Sequence, residues 1–171
     1  MQKERVSDNV YWFQSEIYAQ VTAGAIIGPQ WAVLIDTLMP EETPHIKHFL
    51  ESELMMPVRY VINTHHHADH SWGNCFFPGA VVIGHAKCRK YLIEEGAPSL
   101  ENAQKQNPNL RQVKIVPPHM TFDTGEMTLR VGKKNLILST SPGHSDDGIS
   151  VLVEEDRVLF AGDAFMPLPY I

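Results

Sequence analysis

Thr64-His65-His66-His67-Ala68-Asp69-His70 decides how this chain is read, because it stands directly behind Tyr60-Val61-Ile62-Asn63, an apolar run with the composition of a buried strand. Residues i and i+2 of an extended backbone project to the same side, so His65 and His67 can converge on one point while His66 faces away. The turn that follows sends Asp69 and His70 toward a second, neighbouring point. Imidazole and carboxylate donors together suit zinc, iron or manganese, whereas calcium and magnesium sites want oxygen alone.

Upstream of the motif, Asn9 to Gln14 and Ala19 to Gly28 alternate or run apolar between turn residues and read as antiparallel strands. Ala32-Val33-Leu34-Ile35-Asp36 is a stronger strand, with Asp36 read as its polar cap. Pro40-Glu41-Glu42 marks a helix start with acids in the first turn, and Ile46, Phe49, Leu50 and Leu54 share one face at helical spacing. His45 and His48 fall in the polar arc of that helix and read as solvated. Val58 to Asn63 is the strand that delivers the histidines.

Downstream, Ser71-Trp72-Gly73-Asn74 reads as a tight turn or short helical start and Ala80-Val81-Val82-Ile83 as a strand. His85 opens a helix to Glu95, with Cys88, Tyr91 and Leu92 inward and Gly96 as the stop, and itself reads as a hydrogen-bonded junction residue. Residues 97 to 109 are polar and read as a surface insertion, a lid over a substrate, with one short helix capped by Ser99. Thr121-Phe122, Met127 to Val131, Asn135 to Thr140, Ile149 to Val153 and Val158 to Phe160 follow as short strands. Strands, then helices, then strands again give an α/β layered arrangement rather than a doubly wound sheet, in one domain over residues 1–171.

Two of the later strands also end in ligand-type residues. Ser139-Thr140-Ser141-Pro142-Gly143-His144 leaves an apolar strand through a Pro-Gly turn, and Val158-Leu159-Phe160-Ala161-Gly162-Asp163 ends in a small-residue turn and a carboxylate. Strand ends that face a common edge are where α/β sites assemble.

The 171 residues are 43% hydrophobic, enough for one domain with a real core. A formal charge of -6 and no Lys/Arg cluster argue against nucleic acid as partner and leave a small-molecule substrate. No apolar run has the length of a spanning helix, so the chain is expected to be soluble and cytoplasmic, without a membrane partner. Cys75 and Cys88 fall short of a disulfide framework and read as buried thiols.

The order of these motifs resembles the metallo-β-lactamase-fold hydrolases, whose pattern is H-x-H-x-D-H, a later Pro-Gly-His, a strand ending in Gly-Asp and a final histidine. The matching residues are His65, His67, Asp69, His70, His144 and Asp163. The resemblance, running from about Asn9 to about Pro167, implies an αββα sandwich with a binuclear site at one sheet edge. His65, His67 and His144 would hold the first metal, Asp69 and His70 the second, and Asp163 would bridge them. Three imidazoles leave a fourth position open, as catalytic zinc requires.

The chain stops at Ile171, eight residues beyond Asp163, so the final histidine and the elements around it are expected to be missing from a C-terminally truncated second half. Met166-Pro167-Leu168-Pro169-Tyr170-Ile171 is an apolar ending that fits this expectation, and His119 comes too early to serve instead. Lactam-cleaving members of the family usually carry cysteine or serine where this chain has Asp163. The resemblance therefore implies cleavage of an ester, thioester or lactone by a metal-bound hydroxide, with Asp69 orienting the nucleophile and accepting its proton. An iron-dependent sulfur dioxygenase or diiron oxidoreductase on the same fold is the alternative, and an inactive metal-binding fragment the third. One or two zinc ions are expected, with iron or manganese also compatible.

Overall fold

Two sheets are each wound in chain order in the computed structural model, which describes residues 1–18 and 21–165. The apolar ending at 166–171 and the expected strand start at Ala19 lie outside them. The first sheet runs β1 (Gln2–Ser7), β2 (Val10–Gln14), β3 (Thr22–Ile27), β4 (Ala32–Ile35), β5 (Val58–Ile62), β6 (Val81–His85) and β7 (Met120–Phe122). Its first three pairings are antiparallel and its last three parallel. The second is an antiparallel meander of β8 (Glu126–Val131), β9 (Lys134–Thr140), β10 (Ile149–Val153) and β11 (Val158–Phe160).

Alternation along each strand builds the layers. Val33, Ile35, Ile62 and Ile83 point from the first sheet toward Leu136, Leu138, Val151, Val153 and Phe160 of the second, and all are buried. The opposite face of the first sheet meets a helical layer, where Leu34, Val61 and Val82 pack with Ile46, Phe49 and Leu50. Each large aliphatic side chain buried this way contributes about 1.5–3 kcal/mol before entropy is counted. Leu152 lies between Ile137 and Leu159 on the outer face of the second sheet, and Leu159 is exposed there.

The helical layer departs from the sequence reading in several places. The helix after β4 is regular only as α1 (Thr43–Lys47) and widens into a π-helical stretch over His48–Glu53, although its inner face is as expected. Glu42 is no dipole-complementing acid: it is buried, accepts from the Ser15 hydroxyl and from Glu16 N–H at 3.0 Å, and so clamps the β2–β3 connection. Residues 97 to 109 form a longer helix than expected, α4 (Ala97–Gln106), which starts without a Ser99 cap. Leu100, with Leu110 and Val113, packs on Trp72 instead of standing off as a lid. The layer also holds α2 (Ala68–Ser71), extended by a 3-10 turn over Trp72–Phe76, and α3 (Ala86–Tyr91), which continues as a π-helical stretch over Leu92–Gly96; Gly96 does not stop it as expected, because its backbone is helical at φ -63° and leads straight into α4. Among the described residues no helix is long and apolar enough to cross a membrane.

Candidate metal centre

Three strand ends bring their side chains to one edge. β5 runs parallel to β4 and β6, and behind it the backbone turns at His67 into α2, which separates His65 and His67 from Asp69 and His70. From the second sheet, the loop between β9 and β10 carries His144, and the turn after β11 carries Asp163. The two sheets are joined at this point, since Ile149 N–H, the first of β10, donates to Thr64 O at 2.8 Å. Gly162 lets the last loop in close: its φ is +52°, and a Cβ there would stand 2.5 Å from Thr64 Oγ1.

His65 Nε2 lies 3.0 Å from His67 Nδ1, and His144 Nε2 lies 3.1 Å from the same nitrogen. One donor atom from each of these three imidazoles falls within 4.8 Å of the others, and His65, His70 and Asp163 form a second such group. Asp163 sits between the groups, with Oδ2 3.5 Å from His144 Nε2 and Oδ1 3.2 Å from His70 Nε2. Asp69 stands slightly apart, its carboxylate 3.6 Å from His70 Nε2. Thus all six residues expected from the sequence meet at this edge, while His65 rather than Asp69 completes the second group. His66, in the bend behind β5, faces away from them toward Asp147.

The donor chemistry fits a cation. Burial, then the neighbouring His70 and His67, pushes His65 down to about 2, which keeps its imidazole neutral and its lone pair available. Burial also lowers His67, with His66 and His144 adding to it. Burial works against ionised Asp163, but the His70 ring beside it outweighs that cost and holds the carboxylate at about 2. His70 Nε2 is buried without a hydrogen bond although it points toward Asp163 and Asp69. An orphaned imidazole nitrogen facing two carboxylates is a ligand geometry. Burial depresses His70, yet Asp36 and then the other carboxylates overcome it and raise the ring to about 10, so a proton serves there when no metal does.

Asp36 does more than cap its strand. It adopts φ 56° at the end of β4, is 1% exposed, and accepts from Thr64 N–H at 2.8 Å, Thr64 Oγ1 at 2.6 Å and His70 Nδ1 at 2.8 Å. Burial raises its pKa despite the lowering effect of His70 and Thr64. Its bond to Nδ1 fixes the tautomer that turns Nε2 toward the site. His85 keeps the junction role expected of it: Nδ1 accepts from Lys87 N–H at 3.1 Å at the start of α3 and Nε2 lies 3.2 Å from Asp123 O. His119 is likewise committed elsewhere, accepting from Val82 N–H at 2.9 Å. Of the cysteines Cys88 is buried and Cys75 only half-buried, and burial raises both thiols.

The same fold is found in solved structures of other proteins. A metallo-beta-lactamase from Pontibacter korlensis superposes with a TM-score of 0.75 at 21% identity, over 94% of this chain and 70% of that one. A metallo-beta-lactamase family protein from Thermus thermophilus gives 0.72 at 24% identity, over 95% and 62%. In sequence, the chain is 28% identical over 181 residues to the coenzyme F420H(2) oxidase of Methanothermobacter marburgensis, covering 95% of this chain and 41% of that protein. It is 27% identical over 128 residues to the cytoplasmic hydroxyacylglutathione hydrolase of Saccharomyces cerevisiae, covering 72% and 40%. The chain spans about two fifths of the length of these two relatives. Because the family model of the metallo-beta-lactamase superfamily matches residues 19–170, nearly the whole chain and every ligand-type residue gathered at the sheet edge, the chain belongs to that superfamily.

Proposed function

We propose that the chain carries the metal centre of a hydrolase that cleaves an ester, thioester or lactone of a small molecule. In this reading His65, His67 and His144 hold one zinc ion, and His70 and Asp163, with Asp69 beside them, hold a second. The observation that carries it is the meeting of three imidazole donors from two sheets within 4.8 Å of one another. Zinc bound by three nitrogens supplies a Lewis acid and brings the pKa of a water toward about 7. The protein's own groups do the rest. Low basicity keeps His65 unprotonated, Asp36 holds His70 in one tautomer, and the Asp69 carboxylate orients the attacking water and takes its proton. The similarity to a hydroxyacylglutathione hydrolase supports hydrolysis as the reaction type. Two free cysteines go with a reducing, cytoplasmic setting.

Elemental analysis of the purified protein, followed by rates on a panel of small esters, thioesters and lactones with zinc supplied, tests the reading. Asp69→Ala should lower the rate by about 10²- to 10⁴-fold, the usual share of a general base. Protein that takes up no metal, or a rate indifferent to Asp69, removes the hydrolase assignment. The similarity to a coenzyme F420H(2) oxidase over 95% of the chain favours a second reading, an iron-dependent oxidoreductase. Iron in place of zinc, with oxygen uptake and no hydrolysis, would select it.

A further inference from the structure

We propose that His66 and Asp147 form a latch that holds the two ligand-bearing loops in register, so that His144 from the second sheet meets His65 and His67 from the first. His66 is the imidazole of the motif that turns away from the centre, and it turns toward a specific partner. Its Nδ1 lies 3.1 Å from both carboxylate oxygens of Asp147. Asp147 is wholly buried and also accepts from the Ser145 hydroxyl, so the carboxylate is committed to this junction.

The loop that carries Asp147 is closed on itself, which makes the position of Asp147 fix the position of His144. Ser141 N–H donates to Gly148 O at 2.8 Å and Gly143 N–H to Ser145 O at 3.1 Å. A Cβ on Gly148 would stand 2.4 Å from Ser141 O, so this neck tolerates no side chain. Asp146 ties the same loop to α3, accepting from Lys87 Nζ at 2.7 Å and Tyr91 OH at 2.9 Å, and the Tyr91 ring lies 4.8 Å from that of His66. One backbone bond, from Ile149 to Thr64, also crosses between the loops, at the strand base. The bond from His66 to Asp147 ties the tip directly to the histidine loop, whereas Asp146 ties it to α3. Residues that orient metal ligands in this way usually set metal affinity rather than fold.

The consequence for metal rests on the reading under Proposed function, so the test separates the two. His66, with its side chain 22% exposed, tolerates substitution better than buried Asp147. Wild type, His66→Ala and His66→Asn are compared, the last keeping an amide N–H where Nδ1–H stands. In metal-free protein, His66→Ala should speed hydrogen exchange at the Ser141 and Gly143 amides about tenfold or more, as loss of a hydrogen bond to a charged group implies, with the amides of β4 and β9 unchanged. Zinc affinity, read by competition with a chromophoric chelator, should fall about 10- to 100-fold. His66→Asn should recover most of both. Unchanged exchange in His66→Ala overturns the latch whatever the zinc result, and so does His66→Asn behaving like His66→Ala, which would assign the effect to ring packing on Tyr91. Faster exchange in His66→Ala beside a wild type that binds no zinc supports the latch and overturns the metal reading alone.

Discussion

Replacing Asp36 with Ala removes the acceptor of three buried donors at once: Thr64 N–H at 2.8 Å, the Thr64 hydroxyl at 2.6 Å and His70 Nδ1–H at 2.8 Å. The hydroxyl can rotate toward His65 Nδ1, 3.2 Å away, so two donors are left unpaired. Each unpaired buried donor costs about 1–3 kcal/mol. Burial already raises the pKa of Asp36, so deleting the carboxylate also relieves a desolvation cost, and a net loss of about 2–3 kcal/mol is expected. At roughly 2–4 °C per kcal/mol for a domain of this size, the melting midpoint should drop by about 5–10 °C. Ala also sits poorly at φ 56°, a conformation that Asn accepts, so Asp36→Asn, which keeps one carbonyl acceptor and makes the other oxygen an N–H donor, serves as the control for backbone strain. Chemical denaturation of metal-free protein gives the stability, and a parallel zinc titration should show binding at the site that includes His70 reduced about 10- to 100-fold, because His70 loses its tautomer lock. Stability within about 1 kcal/mol of wild type, with zinc binding unaltered, would refute the assignment of Asp36 as the support of His70.

Other perturbations probe the frame around the site. Gly162→Ala should cost about 1–3 kcal/mol and weaken zinc binding, since φ +52° and the approach to Thr64 both exclude a side chain; a variant as stable as wild type would deny that close contact. Leu138→Ala, fully buried between the sheets, should lose about 2–5 kcal/mol in urea denaturation while leaving the ligands in place. Burial works against ionised Asp156, but hydrogen bonds from Lys134 and Ser7 hold its pKa below the usual carboxylate range. Its contribution is therefore present above the unfolded pKa and lost as pH falls through the folded one. Asp156→Asn should lower stability at pH 7 by about 1 kcal/mol and flatten the acid side of the stability profile, which denaturation at a series of pH values would measure.

The central strands were legible because a strand buried on both faces, such as Ala32–Ile35, has no choice but to be apolar throughout. β1 was not legible for the opposite reason. Gln2-Lys3-Glu4-Arg5-Val6-Ser7 is an exposed edge strand, and its polarity, which discourages pairing with other chains, also removes the alternation that marks a strand. The ligand residues could be picked out since each follows an apolar run and belongs to one ordered motif. The partners that orient them could not: Asp36 lies 34 positions from His70, and a strand-end aspartate looks the same whether it caps a turn or braces a ligand. The polar composition of residues 97 to 109 hid Leu100, whose packing on Trp72 depends on a helix phase that composition does not carry.

Both sheets follow chain order, and this sets a sequence in time. Pairing of β8 with β9 or β10 with β11 closes short loops, whereas gathering His65 with Asp163 spans most of the chain and must wait for both sheets to meet. The metal centre is then among the last parts of the molecule to exist during folding, and a cation has nothing complete to bind before the sheets have docked. Zinc should therefore slow unfolding without hastening folding, a split that stopped-flow refolding and unfolding with and without the ion would show.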